Sequence, residues 1–547
     1  MPADEKACGD EAKQVFLDAG FDKELLVEDE AFVGQGGPGS VATVAAFTSL
    51  AGLLFGLGLG YIAPMKSMDS FQQDVLGGER IADWQDSVIT MTFGLGAAVT
   101  AFPPVIRLAG DRFGRKGCLV LGGIVFCVGT LLQGTASDLR TVMAGRLPVG
   151  MSIGLLTANA PVYQSEIAPP SLRGMFVSTY QLAVTVGIML AFLLGLLFEG
   201  VHEPLGGWRW LVLVQLIPGL ALVLGGAAMG ESPRWLVSKG MHQEALVSLR
   251  AVRGPDEDVR NELADICREH LLEEVSGRPG WAEFLSGRSL KLLAIGVALQ
   301  LLQQLCGMNA YMYDGPTIFG KVFHSSNAGL LFTVVSGVVN ILSTFPAIFL
   351  IDRAGRTSLL RASALGMALC SAALAGVGAA CFPPRHAEEC AGGCANATAS
   401  GAGGEDGAPA GVCGSWAKWA ATASICLFIF NFGYGWGPVV WTYCAEMFPL
   451  KYRTQAVGAT TCANWVGNVF IAMLPPILLH EVGFHTFWVF VGVNILGFYM
   501  ASILPETKDK SLEDIQRTFE EWLDGSEDLS ELSSGKSSSG DESCEAE

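Results

Sequence analysis

The chain has 547 residues, 50% of them hydrophobic and 16% charged, with a formal net charge of −19. Soluble domains carry about 25% charged residues, so this composition excludes an ordinary water-soluble globule and puts membrane integration first. The acidic balance also argues against a nucleic-acid partner or a polybasic lipid-binding tail.

In chain order, residues 1–40 open on MPADEKACGDEAK and read as a solvated acidic tail on the cytosolic side. They lack the positive n-region of a signal peptide, so the first span is expected to be an uncleaved anchor. A spanning helix needs roughly 20 consecutive, mainly apolar residues. Twelve such runs are expected, near 41–63, 86–106, 118–136, 141–163, 175–198, 209–229, 292–314, 329–351, 360–381, 416–442, 454–479 and 484–504. Alternating strands of ~10 residues, the mark of a membrane barrel, do not occur. Each six-run set makes one half, 41–230 and 292–504. Between them, 231–291 reads as short cytosolic helices, because Val259, Leu263, Ile266 and His270 recur at helical spacing. Residues 505–547 read as an acidic, Ser-rich cytosolic tail, solvated from Ser526 onward.

The first run contains FGLGLG. Gly56 and Gly60, four apart, form a small face suited to a close neighbouring helix. Gly58 turns about 160° away from that face, at 100° per residue. A glycine run inside an apolar span is not a nucleotide loop, which needs a strand before it and a helix after it. The G-x-S-x-G at Gly150, Ser152 and Gly154 likewise lies inside an apolar span, without the strand–turn–helix setting of a hydrolase elbow. There is no P-loop and no other enzyme constellation.

Short-loop Lys and Arg set orientation. Arg107, Arg112, Arg115 and Lys116 follow the second run, Arg353, Arg356 and Arg361 the eighth, and Lys451 and Arg453 the tenth. Even-numbered exits, and with them both termini, are therefore expected in the cytosol. The loop 382–415 is then external. It holds Cys390, Cys394 and Cys413, with Cys381 at its edge, and the sequon Asn396-Ala397-Thr398, which makes Asn396 a glycosylation candidate. A disulfide there suits an oxidising compartment, but spacing does not give the pairing. His386 lies nearby, yet no zinc spacing is matched. No metal or other cofactor is expected.

The halves repeat each other. GDRFGRK (Gly110 to Lys116) is echoed by IDRAGRT (Ile351 to Thr357). Glu166 and Arg173, seven apart after the fourth run, are echoed by Glu446 and Arg453 after the tenth. GESPR, with Glu231 and Arg234, closes the sixth run, and LPETK, with Glu506, closes the twelfth. Such duplication marks secondary transporters, whose substrate site lies between the halves. Asp111, Arg112, Arg115, Glu166, Arg173, Glu231, Arg234, Asp352, Arg353, Arg356, Glu446, Arg453 and Glu506 all fall at expected cytosolic helix ends. Positive-inside anchoring explains part of this set. The matched carboxylates suggest more: a salt-bridge network that closes the cytosolic face in one state and breaks in another. Span seven places Gln303, Gln304 and Asn309 on a broad face in an apolar run. Such amides serve either helix–helix hydrogen bonding or a ligand.

GRLPVGMSIG…PVYQSEIAPPSLRG, GESPRWL, QLLQQLCGMNAYMY, DRAGR, WGPVVWTYCAEMFPLKYR and LPETK, in this order, resemble the sugar porters of the major facilitator superfamily over nearly the whole membrane region. The resemblance implies an all-α membrane protein with the major facilitator fold: twelve transmembrane helices in two six-helix halves, with cytosolic linker helices. It implies a monosaccharide substrate, such as a hexose, the lipid bilayer as surroundings and a monomeric functional unit, with the plasma membrane the first expectation. A hexose loses water from five hydroxyls, each costing on the order of 1–3 kcal/mol if unpartnered, so amides and aromatic faces suit it. Family sugar-contacting positions fall on Gln303, Gln304 and Asn309, and on Gln181, Asn340, Trp441 and Asn464. Trp441 follows the helix-breaking Gly437-Pro438 and is expected to be a stacking platform. Proton-coupled members usually carry an Asp in the first span, where this chain has Gly58, and the family's pairing Arg matches Arg146, which is then expected to stand without that partner. Asp314 replaces the second Tyr of a span-seven pair, Arg107 replaces a Gly, and Gly433 falls near a Glu of some facilitators. These departures point to facilitative uniport. The competing readings are proton-coupled symport of a hexose, polyol or inositol, and a non-transporting sugar sensor.

Overall fold

The computed structural model describes residues 38–79, 81–168, 173–201, 205–253, 259–276, 284–323, 325–381, 415–449, 453–508, 510 and 512–533. Among these residues the regular structure is helical throughout, without a strand. Eleven segments are long and apolar enough to cross a membrane. The remaining span is α4, nineteen residues long and opening on two acids, Asp83 and Asp86.

The first half contains α1 (Pro38–Gly60), α2 (Ile62–Ser67), α3 (Asp69–Leu76), α4 (Asp83–Ala101), α5 (Pro103–Gly134), α6 (Leu139–Ile167), α7 (Arg173–Phe198), α8 (Gly207–Leu213) and α9 (Leu216–Ala228). Linker helices follow: α10 (Pro233–Ser238), α11 (His242–Val252) and α12 (Val259–Ser276). The second half contains α13 (Gly287–Leu305), α14 (Met308–Phe323), α15 (Ser326–Ala354), α16 (Arg356–Cys381), α17 (Ser415–Tyr434), α18 (Val439–Met447), α19 (Arg453–Glu481) and α20 (Phe487–Ile503). A last helix, α21, runs Leu512–Ser533. We call the face that carries Asp111–Lys116 and Asp352–Thr357 the motif face.

Spans break where the chain requires it. Gly114 sits at φ 74°, so α5 turns sharply there; its first turns extend the second span and the remainder forms the third. Gly307, at φ 108°, separates α13 from α14, and a Cβ there would come within 2.7 Å of the Phe490 ring. The tenth span breaks between Tyr434 and Val439, around Gly437-Pro438 as the sequence suggests. Proline has no N–H to continue the helix.

Small residues set the packing inside each half. A Cβ on Gly52, Gly56 or Gly60 would meet α7 backbone atoms at 2.6 Å (Tyr180 O), 2.0 Å (Val184 O) and 3.0 Å (Ile188 O). Gly187 answers from α7, where a Cβ would lie 2.5 Å from Leu53 O. The glycine face thus docks α1 on α7, as expected. Ser152 of the hydrolase-like triplet donates to Gly122 O at 2.6 Å, and its two glycines abut α4 backbone. The halves meet where α4 packs on α19 and α7 on α15.

The linker forms a small core of Leu236, Val237, Ala245, Leu249, Val259, Leu263 and Ile266. Buried Arg253 pins it beneath α6, donating to Ile167 O at 2.7 Å while pairing with Glu262 at 2.6 Å. The C-terminal segment departs from expectation. Residues past Leu512 were expected as tail, yet α21 is helical to Ser533 and buries Ile515, Phe519 and Leu523, with Phe519 edge-on to Tyr443 of α18. A buried apolar stripe holds this otherwise acidic helix in place. Cys381 is disulfide-bonded, with its partner among the residues not described; the eight other described cysteines are free. Asn396 also lies outside the described residues.

Gly56→Val should destabilise the first half by several kcal/mol, because the helices cannot close over a 2.0 Å overlap with Val184 O without shifting backbone. Gly376→Ala, where a Cβ meets nothing within 4 Å, is the control and should stay within about 0.5 kcal/mol. Thermal unfolding of the two detergent-purified variants compares them directly.

Candidate functional site

Facing the first half, α13, α14 and α19 build a cluster of amides. Gln303 donates to Trp436 O and Gly437 O at 3.0 and 2.8 Å, which ties it to the break in the tenth span. Its Oε1 accepts from Asn464 Nδ2 at 2.6 Å. Asn464 also donates to Gln300 Oε1 at 2.6 Å, and accepts from Gln304 Nε2 at 2.7 Å. Gln304 Oε1 accepts from Asn309, and from Asn468 at 3.2 Å. Tyr313 completes the chain by donating to Asn468 Oδ1 at 3.1 Å. Four of the seven expected contact residues, Gln303, Gln304, Asn309 and Asn464, thus form one network. Gln300, Asn468 and Tyr313 belong to it as well. The first two lie one turn before Gln304 and one turn after Asn464, so the helical period alone could have found them.

Gln181 on α7, Asn340 on α15 and Trp441 on α18 are not part of that network. Neither Gln181 nor Asn340 hydrogen-bonds through its side chain to any described residue, although Asn340 is only 4% exposed. Two more donors are buried without a described partner: Gln300 Nε2 and Trp465 Nε1. Trp465 lies between Phe55 and Phe93 of the first half, at ring distances of 5.4 and 5.9 Å. Amides held in place by one another, beside donors left without a described partner, offer hydrogen-bonding groups suited to a polyhydroxylated neutral molecule.

Gly58 faces α4 and α6. A Cβ there would meet the Phe93 ring at 3.1 Å and Val149 at 3.8 Å. The place of an acid is therefore filled from the side by an aromatic edge. Arg146 was expected to stand unpartnered. Instead it donates to Tyr61 Oη at 2.7 Å and lies over the Tyr61 and Phe93 rings at 5.2 and 5.6 Å. Tyr61 Oη donates in turn to Gln133 Oε1. No carboxylate touches this guanidinium among the described residues, and its Nε and Nη2 have no hydrogen-bond partner. Asp314, the other departure in span seven, is buried and paired with Lys66 of α2 at 3.3 Å.

On the motif face the duplication becomes two matching clamps. In the first half, Arg115 binds Glu166 at 3.3 Å, and the Arg115 and Lys116 amides donate to Glu231 at 2.9 Å each. Ser232 bonds Glu166. In the second, Arg356 binds Glu446 at 2.9 Å, and the Arg356 and Thr357 amides donate to Glu506 at 2.8 and 3.0 Å. Thr507 donates to Glu446 at 2.7 Å. Gly114 and Gly355, at φ 74° and 87°, precede the capped helix starts, and a Cβ on either would fall within 2.7 Å of the clamping carboxylate. Glycine is needed at both for both reasons.

The rest of the charged set lies elsewhere. Asp111 is exposed and pairs with Arg107 one turn back at 3.6 Å. Arg112 is exposed beside Phe113, and Arg234 bonds Glu269 of the linker at 2.9 Å. Arg353 is exposed, its carbonyl accepting from Lys508 at 2.9 Å. Arg453 donates to Phe448 O at 3.2 Å rather than meeting Glu446. The side chains of Arg173 and Asp352 are not described. The clamps described on this face each tie helices of a single half, whereas the sequence suggested bonds that close one half on the other.

The chain matches the Sugar (and other) transporter family over residues 43–519. A galactose-proton symporter of Escherichia coli strain K12 is 32% identical over 480 residues, which are 87% of this chain and 93% of that protein. The arabinose-proton symporter of the same strain is 32% identical over 481 residues, with 87% and 92% covered. A D-xylose transporter of Levilactobacillus brevis is 31% identical over 502 residues, with 91% and 99% covered. Among solved structures, the proton:xylose symporter XylE bound to 6-bromo-6-deoxy-D-glucose superposes with a TM-score of 0.69 at 23% identity. That match covers 88% of this chain and 99% of the other, and shows the shared fold.

Burial alone would raise the Glu506 carboxyl, but bonds from the Thr357 hydroxyl and the Arg356, Lys508 and Thr357 amides outweigh it and hold the group below its ordinary value. A depressed carboxyl stabilises the fold above the unfolded value, about 4.3, and loses that contribution as pH falls through the folded one. Glu506→Gln should therefore lower the melting temperature at pH 6–8, and the gap to the parent protein should narrow below about pH 4. A gap that stays constant into acid would contradict the clamp.

Proposed function

The chain belongs to the sugar transporter family of the major facilitator superfamily, and from that premise we propose that it carries a monosaccharide by alternating access, in symport with protons. It is a multi-pass membrane transporter and not an enzyme. The amide network of Gln303, Gln304, Asn309 and Asn464 carries the sugar reading, and the unbonded amides of Asn340 and Gln181 are assigned to the same site. Such a site suits neutral hydroxyls, because no fixed charge in it favours an ion. Trp441 and Trp465 offer aromatic faces for the apolar side of a sugar ring.

Proton coupling is supported by the relatives, two of which are proton symporters by name. One observation favours the second reading, facilitative uniport of a hexose: Gly58 has no acid, and Arg146 is held by Tyr61 and two rings. Inositol or another polyol fits the same amides. The motif face, rich in Lys and Arg, is assigned to the cytosol together with both termini and the linker helices. The plasma membrane, a monomeric unit and glycosylation at Asn396 on the opposite side complete the proposal. In the cycle, the carboxylate clamps make each half a stiff body, and sugar exposure alternates as the halves rock about α4–α19 and α7–α15.

Proteoliposomes holding the full chain separate the two readings. Uphill uptake of labelled glucose, galactose or xylose driven by an imposed inward proton gradient supports symport. Rapid counterflow of the same sugar with no uphill accumulation supports uniport. Asn340 tests the site itself. Its amide bonds no described protein group, so Asn340→Ala removes little from the fold. It should raise KM about 5- to 100-fold, the loss of one hydroxyl partner. An unchanged KM for every sugar carried would remove Asn340 from the site.

A further inference from the structure

The two halves are bonded to each other on the face opposite the motif face, and the bonds there are ones that protons control. Lys66, at the end of α2, is buried. Its ammonium contacts Asp86 and Thr90 of α4 in its own half, and Asp314 of α14 in the other half at 3.3 Å. Beside it, His480 at the end of α19 meets Asp83 at the start of α4 at 3.2 Å, again across the halves. Ser87, one turn beyond Asp83, donates to Met473 O of α19 at 2.9 Å. These contacts join the halves at one end of the seam.

We infer that Lys66, Asp86, Asp314, Asp83 and His480 form a proton-binding latch that closes the transporter's mouth at this end, taking up protons as the halves meet. The argument is a count of charge. Asp86 and Asp314 share the one buried ammonium, Lys66, so closing the mouth with all three groups ionised leaves a net negative charge on that trio, offset only in part by the exposed Lys321. The other charge facing Asp314 is Lys321 of its own helix, whose ammonium is also bonded to Leu479 O at 3.3 Å. Neighbouring Tyr313 is turned to Asn468 of α19. One proton on the carboxylate pair leaves a neutral cluster: a Lys–Asp ion pair and a carboxylic acid. Opening the mouth carries Asp314 away from Asp86, and each acid then meets water as an ordinary carboxylate. The closed mouth therefore holds a proton more readily than the open one. His480 adds a second contact across the halves, an ion pair with Asp83 that exists only when the imidazole is protonated. Glu481 on its own helix lies 3.7 Å from the same imidazole. Nearby Asp74 is occupied within its own half by Arg209 and Trp208.

A ligand that binds one of two states more tightly shifts the balance toward that state. Acid on this side should close this mouth, by up to about tenfold in the closed-to-open ratio per pH unit for each proton taken up. The latch does not need the proton to travel with sugar. It loads and unloads from one side, and so tunes how often the site is open to that side whether the carrier is a symporter or a uniporter. Calling the side external rests on the orientation proposed above.

The test uses the full chain in lipid nanodiscs, with spin labels on non-natural side chains at the exposed Gln73 and Ser325, one on each half near this mouth. Electron–electron distances report the closed and open populations. From pH 7.5 to 5.5, the closed-to-open ratio is expected to rise about threefold or more per pH unit. The double variant Asp314→Asn with His480→Gln keeps side-chain shape and the Lys66–Asp86 pair, and its ratio is expected to be flat with pH. Asp314→Asn alone, the smaller change, is expected to lose most of the slope. A parent protein with no pH response, one that opens in acid, or a variant that keeps the parent slope overturns the latch. Quenching of the same labels by an impermeant reagent, in sealed proteoliposomes of known orientation, fixes the side separately. A wrong orientation would thus show itself without touching the latch.

Discussion

Hydrocarbon offers no hydrogen-bond partner, so every polar side chain placed at membrane depth must be satisfied by the protein, by a substrate or by water in a path between the halves. This one constraint sorts the interior. Gln303, Gln304, Asn309, Asn464 and Asn468 bond one another in a connected chain, while Asn340 and Gln300 Nε2 have no described partner. Arg146, without an acid, is held by a phenol and two aromatic faces. Lys66 collects two carboxylates from opposite halves. Each solution uses different chemistry, but each avoids a charge or amide facing lipid alone.

The repeat in sequence marks where the strongest solutions lie, though not which residues share them. Glu166 and Arg173, like Glu446 and Arg453, invite pairing because they sit seven apart in both halves. The chain turns extended just after each carboxylate helix, at Ala168 and Phe448, which puts the following arginine beyond the turn. The ion partner comes instead from Arg115 or Arg356, on the helix that begins after a left-handed glycine. Glu231 and Glu506 then cap those same helix starts, where the exposed amides and the helix dipole favour an anion. A motif thus carried legible positions, while partnership depended on backbone direction that spacing alone does not encode.

Periodicity served better where a single helix face decides the outcome. Gly56 and Gly60 meet α7 because a four-residue spacing puts both on one side, and the amides of span seven share a face for the same reason. Gly58 shows the limit. Comparison with relatives marks it as a missing acid, but only the fold shows Phe93 filling the gap and Tyr61 taking the arginine. Lys66 was less visible still. A lysine at the end of an apolar run reads as an interfacial anchor, and its partners lie 20 and 248 residues away. The amphipathic stripe of Ile515, Phe519 and Leu523 was present in the sequence, and was outweighed there by the acidic and serine-rich composition around it.

Alternating access needs two stiff bodies and a soft seam, since a two-state balance of a few kcal/mol cannot survive strong bonds across the moving surface. The described bonds divide in that way. On the motif face, Arg115, Glu166 and Glu231 stay within one half, and Arg356, Glu446 and Glu506 within the other, so they stiffen each body without opposing its rotation. Crossing the seam on the opposite face are Ser87 to Met473, Lys66 to Asp314 and Asp83 to His480. Two of these three depend on ionisation, as the carboxylate clamps also do. Phe55 and Phe93 against Trp465 add contact at the centre of the seam. Ring contacts of this kind can slide and re-form at small cost, which leaves the Ser87–Met473, Lys66–Asp314 and Asp83–His480 contacts as the polar bonds across the seam on that face.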